Sequence, residues 1–155
     1  MSFPERPRMK HTLGMIFSLI LAGLLSQATA AHESVADAAD SIDARFVLDL
    51  HDKKIDDVLT LYAKDAVFVQ PDGTEVSGPG LRALYESTFK SLDSDLHLKR
   101  TGLKHDLNTV IEDGTYTEAL GAKDTGKVEN VTGTYRFTLH LDADGHWRYS
   151  RMEWH

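Results

Sequence analysis

Cysteine is absent from all 155 residues. No disulfide can staple this chain, no thiolate can hold a metal, and no thiol can act as a nucleophile. Its stability must come from a packed core. Basic side chains are also in short supply, 17 Lys and Arg against 24 Asp and Glu, for a net charge of −7. That balance opposes nucleic acid and anionic membrane surfaces as partners. Phosphate-binding loops, dinucleotide fingerprints and the Gly-x-Ser-x-Gly elbow are missing too, so nothing in the chain calls for a nucleotide cofactor or a serine hydrolase. Long apolar runs are nearly absent. The one candidate, Leu13 to Leu25, is shorter than the roughly 20 residues a membrane span needs.

That run has a different reading. Arg6, Arg8 and Lys10 precede it, and Ala28-Thr29-Ala30 follows it. Positive lead, short apolar core and small-x-small site make the pattern of a secretory signal peptide, with cleavage expected near Ala30. An uncleaved anchor is the alternative. Cleavage leaves residues 31–155 as one domain, periplasmic or secreted, and still more acidic, since three basic residues and one acidic residue are lost. No membrane partner is expected after cleavage.

Within 31–155, helices are expected first and strands later. Val35, Ala38 or Ala39, Ile42, Phe46 and Leu50 fall three to four apart, which predicts an amphipathic helix over 33–50. A short helix is expected over 55–63, then a strand over 66–70. Pro71-Asp72-Gly73 supplies a turn, because proline presets one dihedral and glycine permits a positive one. A small strand over 74–77 and a third helix over 81–92 follow. Residues 96–109 alternate loosely and run into Val110-Ile111. Glu112-Asp113-Gly114 reads as a hairpin turn. Strands are expected over 115–122, 128–141 and 146–155, separated by turns at Asp124-Thr125-Gly126 and Asp142-Ala143-Asp144-Gly145. The class is α+β: helices packed on the concave face of a curved, mainly antiparallel sheet, with a pocket between the layers.

Three stretches carry a family likeness. Leu61 to Gly73 (Leu-Tyr-Ala-Lys-Asp-Ala-Val, then Pro-Asp-Gly), Gly133 to Phe137, and Asp144 to Tyr149 together resemble the NTF2-like superfamily, in its SnoaL-like and DUF4440 branch. The resemblance implies a cone-shaped fold around a cavity, and relatives commonly pair through the sheet, so a homodimer is expected. It implies no single activity. The steroid isomerases of that superfamily need a carboxylate base and two donors around an oxyanion. Residue by residue, the base position falls on Gln70, one donor on Phe46, and the other on or next to Gly133. All three groups are missing, so that chemistry is not expected here.

The remaining candidates come with competing readings. Tyr116 and Glu118 lie two apart on one strand and so share a face. If that face lines the pocket, Glu118 is the one carboxylate available there as an acid or base; with the register reversed it is a solvated side chain. Gln70 either orients a ligand's carbonyl or hydroxyl or bonds its own turn. Phe46, Tyr62, Phe68, Tyr85, Tyr135 and Trp154, with Phe137 and Met152 beside them, either line the cavity or fill the core. On the last strand, Trp147, Tyr149, Arg151 and Glu153 are expected on one face. Arg148, Ser150, Met152 and Trp154 are expected on the other. No two histidines after residue 31 have the helical i, i+4 spacing of a metal site, and His140 and His146 with Asp142 and Asp144 make at most a weak surface cation site. No metal and no cofactor are expected. The functional expectation is a pocket that binds a small apolar or aromatic molecule. The alternative is a lyase or isomerase moving a proton on a small carbonyl compound through Glu118, with Gln70 and Tyr116 or Tyr135 orienting it.

Overall fold

Three helices and six strands order residues 34–155, the part of the chain that the computed structural model describes. The expected signal peptide lies outside the described residues. Among those residues no helix is long and apolar enough to cross a membrane.

Helix α1 spans Val35–His51. Ser34 starts it with a capping box: its hydroxyl accepts from the Asp37 amide, and the Asp37 carboxylate accepts from the Ser34 amide. Two otherwise orphaned N–H groups are satisfied this way. Ala39, Ile42, Phe46 and Leu50 turn inward on the expected stripe, but Asp43 and Asp49 are buried with them. Helix α2 (Ile55–Thr60) is short, and α3 (Pro79–Ser91) opens on Pro79, where the missing N–H costs nothing.

The strands are β1 (Tyr62–Val69), β2 (Glu75–Ser77), β3 (Leu92–Asp106), β4 (Thr109–Ala122), β5 (Val128–Leu141) and β6 (Trp147–Trp154). They form one sheet in the order β2-β1-β6-β5-β4-β3. All neighbours are antiparallel except β1 and β6. The helices pack on its concave face, so the class is α+β as the order of elements implied.

Three local expectations need correction. Leu59, Tyr62 and Ala63 fit a helical period, yet α2 stops at Thr60 and Tyr62 begins β1, where it pairs with Tyr149 of β6. Glu112-Asp113-Gly114 is not a turn. It lies inside β4, paired on both sides, and the chain reverses instead at Leu107-Asn108, with Leu107 at φ 43°. Glycine at 114 has another reason: a Cβ there would sit 2.3 Å from the Tyr135 ring. Tyr116 covers Gly133 in the same way, at 2.6 Å. The two glycines thus make room for two tyrosines laid across the β4–β5 pair (Gly114 opposite Tyr135, Tyr116 opposite Gly133).

The third correction concerns β6. Its alternation breaks at a bulge between Tyr149 and Arg151, where the extra residue is Ser150, its hydroxyl donating to the Thr138 carbonyl at 3.1 Å. One extra residue flips the side-chain phase. Tyr149 therefore joins Met152 and Trp154 inside the core, all three 5 % exposed or less. Arg151 instead pairs outward with Glu75 and Glu153.

Candidate functional site

A cavity of about 230 Å³ lies at one end of the concave face. Helix α1 contributes Phe46 and Leu50; α3 contributes Leu84, Tyr85, Thr88 and Phe89. The sheet supplies the rest of the wall. Phe68 sits on β1 and Gln70 on the turn that follows it; Ser94 is on β3, Tyr116 and Glu118 are on β4, and Trp154 is on β6. The rings touch one another. Phe68 meets Tyr85 edge-on at 6.5 Å, and Tyr116 meets Trp154 edge-on at 5.0 Å between centroids. Such edge contacts lock the wall's shape without filling the space it encloses.

Seven of the expected site residues meet in this one cavity: Phe46, Phe68, Gln70, Tyr85, Tyr116, Trp154 and Glu118. Glu118 is half-buried, and the Ser94 hydroxyl donates to its Oε1 at 2.5 Å. It makes no ion pair among the described residues. Gln70 uses its backbone for the turn, its N–H donating to the Thr74 carbonyl at 2.9 Å and its carbonyl accepting from Gly73. No side-chain hydrogen bond of Gln70 occurs among the described residues, and the residue lies on the cavity wall. The position at Gly133, where a third polar group would have to project, is closed: a Cβ there would lie 2.1 Å from the His155 carbonyl oxygen and under the Tyr116 ring.

Three expected lining residues are not on that wall. Tyr62 is buried behind it, its hydroxyl 2.5 Å from that of Tyr85. Burial raises the pKa of both phenols, so both stay neutral. Met152 is fully buried, flanked in the sheet by Phe68 of β1 and Phe137 of β5. Tyr135 stacks on Phe137 at 4.2 Å and faces a different groove, between α1 and β3. All three belong to the buried core cluster, Tyr135 with one side on that second groove.

That second groove overlies a polar cluster that the sequence did not announce. Glu112 is wholly buried, and the Arg100 Nε donates to its Oε2 at 2.9 Å. Asp43, on α1, accepts from the Tyr149 hydroxyl at 2.6 Å and lies 3.7 Å from the same guanidinium. Asp40 closes the set from the rim, 2.8 Å from Arg100. Burial, then the Asp43 charge and a hydrogen bond with Asp43, push the Glu112 carboxyl up to about 8. Asp43 is raised as well, chiefly by burial. Both carboxyls are thus shifted toward the protonated form, while the Arg100 guanidinium beside them opposes the shift. The available signal was a carboxylate at an inward position of a strand, two residues from Gly114; reading 112–114 as a turn hid it.

The weak cation site is also accounted for. Arg148 donates to Asp142 at 2.6 Å and grips both Asp144 oxygens, at 2.9 and 2.8 Å. The Asp144 carboxyl is pulled down to about 2 by that pairing. The guanidinium stands where an ion would have to sit, and no cluster of ligating side chains that could hold a metal occurs among the described residues.

Solved structures with this arrangement of helices and sheet are numerous. A ketosteroid isomerase-like protein from Erwinia carotovora atroseptica superposes with a TM-score of 0.67 at 19% identity, over 74% of this chain and 90% of its own. An NTF2-like superfamily protein from Salmonella enterica serovar Typhimurium gives 0.67 at 15%, over 74% and 85%. The fold is NTF2-like. A conserved protein from Planctomyces limnophilus matches at 0.71 and 13%, over 75% and 91%. No protein-family model matches the chain, and no curated protein matches it. At such identities the likeness establishes the NTF2-like fold alone.

Proposed function

We propose that this chain is an exported NTF2-like domain of the SnoaL-like and DUF4440 kind, whose cavity binds a small apolar or aromatic molecule. One observation carries the reading: six aromatic rings (Phe46, Phe68, Tyr85, Phe89, Tyr116 and Trp154) surround a cavity with few polar groups. Aromatic and aliphatic walls with a few placed polar groups are the usual make-up of a small-molecule site. The volume falls below the roughly 300–1,000 Å³ of drug-sized sites, which suits a ligand of one or two rings.

A thermal-shift screen of one- and two-ring compounds tests this. A ligand of the native state stabilises it by mass action, by about 2.7 kcal/mol when present at a hundred times its dissociation constant. The melting temperature is expected to rise with such compounds, and Leu84→Trp, which adds bulk to the cavity wall, is expected to remove the rise. No shift with any compound, or an equal shift in the blocked variant, would count against the reading.

A second reading is proton transfer on a small carbonyl compound. It is favoured by the occurrence of Glu118 and Gln70 on one cavity wall. It is the weaker of the two, because Phe46 and Gly133 stand where oxyanion donors would be needed. Turnover of an enolisable ketone that Glu118→Gln abolishes would promote it over simple binding.

A further inference from the structure

We infer that the occupant of this cavity is an organic cation: an amine, protonated at neutral pH, on an apolar or aromatic body. The inference rests on the binding reading above and names the chemical class. Among the described residues no lysine, arginine or histidine stands on the cavity wall, and the one charged side chain there is the Glu118 carboxylate. That carboxylate has the Ser94 hydroxyl as a donor but no cationic partner among the described residues. Several carboxylates elsewhere on the sheet and its turns do have arginine partners. Glu112 has Arg100, Asp113 has Arg136, and Asp142 and Asp144 share Arg148.

An ammonium group needs about three acceptors. Glu118 offers its second oxygen, Gln70 its amide oxygen, and the Ser94 and Thr88 hydroxyls their lone pairs, since each donates its own proton elsewhere. The aromatic walls add to this. The face of a ring attracts a cation, and several rings around one carboxylate make the arrangement that recognises organic ammonium groups. Trp154 presents its ring to the cavity, while its indole nitrogen is sealed away from solvent. Anions are disfavoured twice, by the Glu118 charge and by the lack of any cation on the wall. The acidic balance of the whole chain, 24 acidic against 17 basic side chains, favours cations approaching from solution.

The test uses three one-ring probes of matched shape: 2-phenylethylamine, 2-phenylethanol and phenylacetate. Binding is followed by calorimetry and by chemical-shift changes at the Trp154 indole. The amine is expected to bind tightest and phenylacetate least. Glu118→Gln is expected to weaken the amine about tenfold or more, the loss of a charge-assisted hydrogen bond, and to weaken the alcohol by much less. If the alcohol binds as well as the amine to the native protein, or the amine binds Glu118→Gln undiminished, the cation assignment is overturned and the pocket reading stands. If none of the three probes binds or moves the Trp154 signal, the pocket reading falls and takes the assignment with it.

Discussion

Glu112 shows how far a single side chain can differ from its sequence neighbourhood. Flanked by Asp113 and Gly114, it looks like a turn residue. In the fold it is wholly buried among Asp43 from α1, Arg100 from β3, Tyr135 from β5 and Tyr149 from β6, with Asp40 at the rim. Its carboxyl is raised to about 8, while an unfolded chain would hold it near the ordinary value of 4.5. The folded state therefore keeps a proton that the unfolded state has lost. The contribution is full below the unfolded value and is lost as pH rises through about 8. Melting temperature is expected to decline between pH 5 and pH 9. Glu112→Gln, which keeps the shape and cannot ionise, should flatten that decline and be the more stable form at pH 9. Parallel curves for the two proteins would show that Glu112 does not titrate in this way.

At the scale of elements, the β4–β5 pair depends on what it leaves out. Gly114 and Gly133 clear the space into which Tyr135 and Tyr116 lean. Tyr116 reaches the cavity wall only because Gly133 has no side chain beneath it. Gly133→Ala would put a methyl 2.1 Å from the His155 carbonyl and 2.6 Å from the Tyr116 ring. Overpacking of that sort costs about 1–3 kcal/mol. It should lower the urea midpoint without changing the slope of the transition, and should shift Tyr116 enough to weaken any ligand of the cavity. An unaltered midpoint would mean that the strand has slack which the packing does not reveal. The β6 bulge is a second such device. Without Ser150 as an extra residue, Tyr149 would be out of phase with Met152 and Trp154.

Across the whole molecule, the outer face of the sheet is polar. Thr115, Thr117, Thr132 and Thr134 are exposed there, and Arg136 pairs with Asp113. Beyond the bulge, the outward side of β6 carries the Arg151–Glu153 pair. If two copies pair across the sheet, as proposed from the family likeness, the contact is one of threonines and ion pairs. Such a dimer should dissociate as salt is raised, because exposed ion pairs are screened. Sedimentation at low and high salt reads this directly; a single mass throughout would argue against a salt-sensitive pair. Export, likewise proposed, predicts a mature chain beginning at Ala31, which mass spectrometry of the secreted or periplasmic protein would check.

Sequence alone determined the element order, the α+β class and most turns, because those follow from local periodicity and from the dihedral demands of residues such as Pro71 and Gly73. It also put Tyr116 and Glu118 on one face, since strand alternation assigns faces, while the family resemblance singled out Gln70. Tertiary structure decided which face was which, and which aromatics line a cavity rather than fill a core. Tyr62, Tyr135 and Met152 look no different in sequence from Phe68 or Trp154. Their roles differ because one bulge, two glycines and the path of α1 set how closely each ring is approached. The Asp43–Glu112–Arg100 cluster was equally beyond reach, since its members come from three elements and meet only when α1 closes on the sheet. The lack of any cation among the described residues of the cavity wall is a property of the assembled fold, and it turns Glu118 from a stray carboxylate into a reason to expect an ammonium ligand.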